Sequence, residues 1–104
     1  MKKRSEVYKL IKEGRCFTGN GIRLYYMPVE TLKIKIFFSL PKKIFTAVKR
    51  NYIKRVVREL VRIEGLRFNL LIFINRGDIK FYELKAFFKG FKGHMDEIHN
   101  YSDN

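Results

Sequence analysis

Residues 47–60 read AVKRNYIKRVVREL, which puts five cationic side chains and one asparagine into fourteen positions. Arginine presents a planar fork that grips a phosphate through two N–H groups and can also stack on a base, whereas lysine acts as a point charge. Asn51 adds a donor and an acceptor suited to a 2′-hydroxyl or a base edge. The run extends on both sides: from Lys42 to Arg62 there are eight Lys or Arg residues and one acid, Glu59. This is the chemistry of holding a polyanion, not of breaking bonds. Catalysis by the chain itself would need carboxylates grouped for metal or acid/base work, and its ten acids are scattered. Asp96, Glu97, His94 and His99 sit together only in a polar C-terminal stretch, so the histidines read as spectators. No catalytic residue and no metal ligand is expected.

A helix must position the cations. At about 100° per residue, Ile53, Val56, Val57, Leu60 and Val61 fall on one side, and Arg50, Asn51, Lys54, Arg55, Arg58 and Arg62 on the other. The spacing predicts a helix from Thr46 to about Glu64, stopped near Gly65. A merely solvated face would interleave acids with bases for i, i+4 support. One acid among eight bases gives a self-repelling row that phosphates would relieve. Lys42, Lys43 and Lys49 join the helical residues as the set expected to hold a polyanion.

The remaining pattern predicts the scaffold. Val7, Leu10 and Ile11 have helical spacing, with Ser5 as a possible N-cap and Gly14 as the stop. TGNG at 18–21 is turn chemistry; Ile22–Met27 reads as a strand, with RCF before it as a short partner. Leu32–Leu40 reads as a strand ending at Pro41, and the apolar run Phe68–Asn75 as a strand buried on both faces. Leu84, Phe87, Phe88 and Phe91 mark one face of a last helix. Residues 93–104 are polar and predict a disordered tail. Helix, strands, helix, strand, helix makes one α+β domain over residues 1–92, a small sheet with helices packed on it.

Composition bounds the partners. The 104-residue chain carries 23 Lys or Arg against 10 Asp or Glu, a formal charge of +13, which puts a polyanion first. One cysteine, Cys16, cannot form an internal disulfide and reads as a small buried apolar residue; its isolation fits a reducing cytoplasm. No apolar run approaches the roughly 20 residues of a membrane span, and the charged start lacks the apolar core of a signal peptide.

The stretch KKIFTAVKRNYIKRVVREL, residues 42–60, resembles the signature of the bacterial ribonuclease P protein component. Lys42 and Lys43 match its lysine pair, Ala47 and Val48 its small apolar pair, Arg50 and Asn51 the start of its Arg-Asn-Arg motif, and Lys54, Arg55 and Arg58 the cations that follow. The likeness covers nearly the whole chain to about residue 92. Departures are Tyr52 at the second Arg of the motif, Phe37 and Phe45 at common glycines, and Pro41 where serine is frequent.

The resemblance implies a ribonuclease P protein-like α/β sandwich with a left-handed β-α-β crossover, against the usual hand. It implies a cytoplasmic subunit of an endoribonuclease in which the RNA subunit, with Mg²⁺, hydrolyses the phosphodiester that releases the 5′ leader of precursor tRNA. Its partners would be ribonuclease P RNA and that leader, with no membrane and no cofactor bound by the chain. The leader would lie in a cleft between the sheet and the first helix. Val7 and Ile11 stand where the family often has cleft phenylalanines, and Tyr25, with Phe17 or Tyr26 nearby and the lysine pair, would supply stacking and charge. Phe68, Phe73, Phe87 and Phe88 are assigned to the core. The alternatives are a ribosomal-type structured-RNA protein with no enzyme role, a DNA-binding helix, which lacks a helix-turn-helix pattern, and a membrane-surface helix, whose apolar face is here needed for the domain.

Overall fold

The computed structural model describes residues 2–29 and 33–102, with side chains placed for 5–29 and 33–97. The order is α1 (Lys2–Glu13), β1 (Arg15–Gly19), β2 (Ile22–Pro28), β3 (Ile36–Ser39), α2 (Ala47–Ile63), β4 (Phe68–Ile74) and α3 (Phe81–Ser102). The four strands form one sheet in the order β1-β2-β4-β3. This is the α+β architecture expected from the sequence.

The sheet begins as a hairpin. Gly19 pairs with Ile22 across the two-residue turn Asn20-Gly21, whose φ values of 50° and 77° are the positive pair that a type I′ turn requires. β2 then pairs antiparallel with β4, and β3 pairs parallel with β4. A parallel neighbour needs a crossover, and α2 is that crossover, so the basic helix spans the link between adjacent strands. Strand alternation divides the sheet. Ile22, Leu24, Tyr26, Leu70, Ile72 and Ile74 face the main core, shared with Ile53, Val57, Leu60, Val61, Leu84, Phe87, Phe88 and Phe91. Their neighbours in sequence face the opposite side, where α1 contacts β2 and β4. Leu10 and Leu71 are buried there, outside the main cluster.

Several boundaries differ from the sequence-based expectation. β3 holds only Ile36–Ser39, not Leu32–Leu40; Leu32 lies outside the described residues. The side chain of Asn69 explains the shortening: its Oδ1 accepts from Lys35 N at 2.9 Å, displacing the ladder at that end. α1 begins at Lys2, so Ser5 lies inside it and is not its N-cap. Gly14 does stop the helix, donating its N–H to Leu10 O at 2.9 Å. A Cβ there would collide with that carbonyl and sit 3.0 Å from Tyr26 O, so a close approach to β2 demands glycine. Where composition predicts disorder, α3 continues through Ser102; Met95, packed on the core cluster, extends the Leu84, Phe88, Phe91 face by one more turn. Among the described residues no helix is long and apolar enough to cross a membrane.

Candidate nucleic-acid interface

α2 is fixed at both ends by local chemistry. Thr46 Oγ1 caps the N-terminus by accepting from Lys49 N at 3.1 Å, satisfying one of the donors that a helix leaves unpaired. At the other end Gly65, at φ 65°, closes a Schellman motif: Gly65 N donates to Arg62 O and Leu66 N to Val61 O, both at 3.1 Å. The motif's apolar contact is made by buried Leu66 and Val61. Ile53, Val57, Leu60 and Val61 are buried against the sheet and α3. The opposite face is thereby held toward solvent, with Asn51, Arg55, Arg58 and Arg62 exposed and Arg50 and Lys54 half-buried at its margin.

Arg50, Lys54, Arg58 and Arg62 recur every fourth residue, a row with one cation per roughly 6 Å of helix. Among the described residues, Arg50, Lys54, Arg55 and Arg58 form no ion pair. Arg50 Nε is buried without a hydrogen-bond partner, and the Arg58 guanidinium lies 5.5 Å from the centre of the Phe38 ring on β3. Lys42 and Lys43 are exposed in the turn that precedes α2. That turn is closed by Ile44 and Phe45 N–H groups donating to Pro41 O.

Two expected members of the set are engaged elsewhere. Lys49 lies one helical turn before Ile53, on the core side; its Nζ donates to Ile79 O at 3.0 Å and sits 5.7 Å from the centre of the Tyr52 ring. It ties α2 to the segment entering α3. Arg62 pairs with Glu59, three residues back. That hydrogen bond holds the Glu59 carboxyl below its ordinary range and raises Arg62.

On the other face of the sheet, α1 and strands β3 and β4 enclose an open groove of about 570 Å³. Val7, Tyr8 and Ile11 come from α1, Phe37 and Ser39 from β3, and Leu71 and Phe73 from β4. Tyr25 adjoins it, with its ring edge-on to Phe73 at 5.8 Å. An ion pair from Lys35 to Glu6 ties α1 to the approach to β3. The aromatic residues expected here separate by strand alternation. Phe17 and Tyr26 point to the core face and pack on Phe91, with centroids 5.4 and 4.9 Å away, so neither reaches the groove. Conversely Phe73, expected in the core, lines it. Tyr8, Phe37 and Leu71 are groove residues that the sequence reading missed. The period-two pattern was the available signal, since adjacent Tyr25 and Tyr26 cannot share a face.

Among the described residues no group of three His, Cys, Asp or Glu could hold a metal ion. The exposed His94 ring lies 5.2 Å from Phe17, and the His99 side chain is outside the described residues. Cys16 is exposed, not buried; it alternates with inward Phe17 on an edge strand. A separate cluster braces the fold. Arg76 Nη1 donates to Asn20 O at 3.0 Å and to Glu83 Oε2 at 2.8 Å, and Nε donates to Asp78 Oδ1 at 3.2 Å. One guanidinium thus joins the hairpin turn to the start of α3.

Comparison with known proteins gives this geometry its context. A family model described as Ribonuclease P matches residues 1–99. The ribonuclease P protein component of Mycoplasma mobile is 33% identical over 79 residues, covering 73% of this chain and 69% of that protein. That of Borrelia duttonii is 26% identical over 96 residues, covering 86% and 84%. Among solved structures, the Staphylococcus aureus RNase P protein superposes with a TM-score of 0.70 at 19% identity, over 86% of this chain and 88% of that one. The Thermotoga maritima RNase P protein gives 0.69 at 17%, over 88% and 92%; at these identities the likeness speaks to fold alone. A match along residues 1–99, through the capped helix and its cationic row, places the chain in the ribonuclease P protein component family.

Proposed function

We propose that this chain binds the ribonuclease P RNA through the outer face of α2 and holds the 5′ leader of precursor tRNA in the groove between α1 and the sheet. Membership in the family makes it an RNA-binding subunit of ribonuclease P, acting in tRNA processing. The finer assignment rests on one observation above all: Arg50, Lys54, Arg55 and Arg58 stand on a capped helix with no ion pair among the described residues. Such a row stores repulsion that a phosphate backbone relieves, with release of the counterions condensed on it. Lys42 and Lys43 extend the positive surface, and Asn51 is placed to read a 2′-hydroxyl.

The groove supplies what a single strand needs. Tyr25, Phe73 and Phe37 offer rings for base stacking, worth roughly 1 to 3 kcal/mol per base, and Val7 and Ile11 form the opposite apolar wall. In this reading phosphodiester hydrolysis belongs to the RNA subunit with its Mg²⁺. The chain's own contribution is to hold RNA and leader in fixed register, the positional part of catalysis. A competition experiment tests the assignment: at equal salt, ribonuclease P RNA should displace other folded RNAs of similar size. Equal affinity for all of them would leave a general structured-RNA binder of the ribosomal type.

A further inference from the structure

Beyond the cationic row, at the C-terminal end of α2, the surface opens into a slot of about 330 Å³. It is lined by apolar Ile34, Ile36 and Leu66 and by Arg58, Arg62 and Arg67. We propose that this slot receives one unpaired nucleotide of the ribonuclease P RNA, its base against Ile34, Ile36 and Leu66 and its phosphate on Arg58 and Arg67. The inference rests on the reading of α2 given above, and it extends that interface past the helix to residues outside the signature stretch.

Three features favour a nucleotide. The first is charge. Arg62 is in the last turn, where a cation complements the helix dipole, and it is already paired with Glu59. That explanation does not cover Arg67, which follows Gly65 outside the helix, nor Arg58, one turn earlier and leaning over Phe38. Neither forms an ion pair among the described residues. The second is the apolar lining: Ile34 and Ile36 remain half-buried, in reach of an occupant that carries a flat apolar body as well as negative charge. The third is the Schellman turn, which fixes the backbone at Gly65 and leaves open space there, since a Cβ at that position would meet nothing within 4 Å. Direct continuity with the row Arg50, Lys54, Arg58 lets a strand that tracks the helix enter the slot.

The test uses the full chain and full-length ribonuclease P RNA, with affinity measured across salt concentrations and 2′-hydroxyl acylation of the RNA read at nucleotide resolution. The wild type should protect an unpaired nucleotide. Ile34→Ser should lower affinity about fivefold at unchanged salt slope and re-expose that nucleotide. Arg67→Ala should make the log-log salt slope shallower by about 0.7 to 0.9, and Arg67→Lys should restore it. Thermal melting checks folding, with Ile34→Ala as the milder substitute if the serine variant melts early. Unchanged affinity and protection in the folded Ile34 variant would overturn the proposal, even if Arg67→Ala weakened binding, because the slot would then be a charged surface only. Failure of the broader reading would appear in the wild-type arm alone, as no preference for ribonuclease P RNA, and would overturn both.

Discussion

Replacing Arg50 and Arg55 together by alanine removes two cations from α2 without breaking an ion pair among the described residues. If each meets one phosphate, the slope of log affinity against log salt falls by about 0.7 to 0.9 per contact, or roughly 1.4 to 1.8 for the pair. Between 50 and 200 mM salt, about 0.6 of a log unit, the affinity gap between wild type and variant should therefore narrow about 7- to 12-fold. Filter or fluorescence titration of ribonuclease P RNA over that range reads this directly. Thermal melting separates binding from folding: Arg55 is exposed, the half-buried Arg50 gives up only a buried Nε that has no hydrogen-bond partner, and no ion pair is lost, so the melting temperature should hold. Parallel salt lines, displaced but equally steep, would refute the reasoning, because they would mean that neither residue meets a phosphate.

Three further outcomes follow from the geometry. Tyr25→Ala, which removes the ring edge-on to Phe73, should weaken binding of precursor tRNA with a leader by the equivalent of about 1 to 3 kcal/mol, while leaving affinity for ribonuclease P RNA and for leaderless tRNA unchanged; equal losses would indicate misfolding. Gly14→Ala should destabilise the domain by about 1 to 3 kcal/mol in urea unfolding, because its Cβ meets the carbonyls of Leu10 and Tyr26; a neutral result would mean that α1 shifts freely on the sheet. The hydrogen bond from Arg76 holds the Asp78 carboxyl below its ordinary value. Its stabilising contribution is therefore complete above the unfolded carboxylate pKa and is lost as pH falls through the folded value. The difference between thermal melts of wild type and Asp78→Asn should hold above about pH 4 and shrink as pH falls below it, and a constant difference down to pH 2 would contradict the pairing.

The parts of the fold legible in the sequence are those governed by local rules. The change to helical spacing at Thr46, Gly65 as a stop and the two-sided distribution from Ile53 to Arg62 define α2 to within a residue or two, because helix stops and 3.6-residue periodicity act over a few positions. The Asn20-Gly21 turn and the apolar β4 are local in the same sense. What escaped depended on partners distant in sequence. β3 is shortened by a side chain 34 residues away, Asn69, bonded to Lys35. Lys49 carries a charge like its neighbours, yet it lies on the core side and finds the Ile79 carbonyl, which only the packing of α3 supplies.

The groove was half legible. Val7, Ile11 and Tyr25 fall at or beside it, but Phe17 and Tyr26 turn inward and Phe73 turns outward. Composition marked these residues as aromatic without assigning them a face, and strict alternation from either tyrosine would have separated them. The length of α3 was obscured by the polarity of residues 93–104, although Met95 continues its apolar face.

The measurement closest to the central claim is 5′ cleavage of a precursor tRNA by a ribonuclease P RNA from the same source, at low Mg²⁺, with and without this protein. The account predicts strong stimulation by the protein, lost when Arg50 and Arg55 are neutralised and reduced for substrates without a leader-length single strand. A well-folded sample that bound the RNA yet left cleavage unchanged would contradict it.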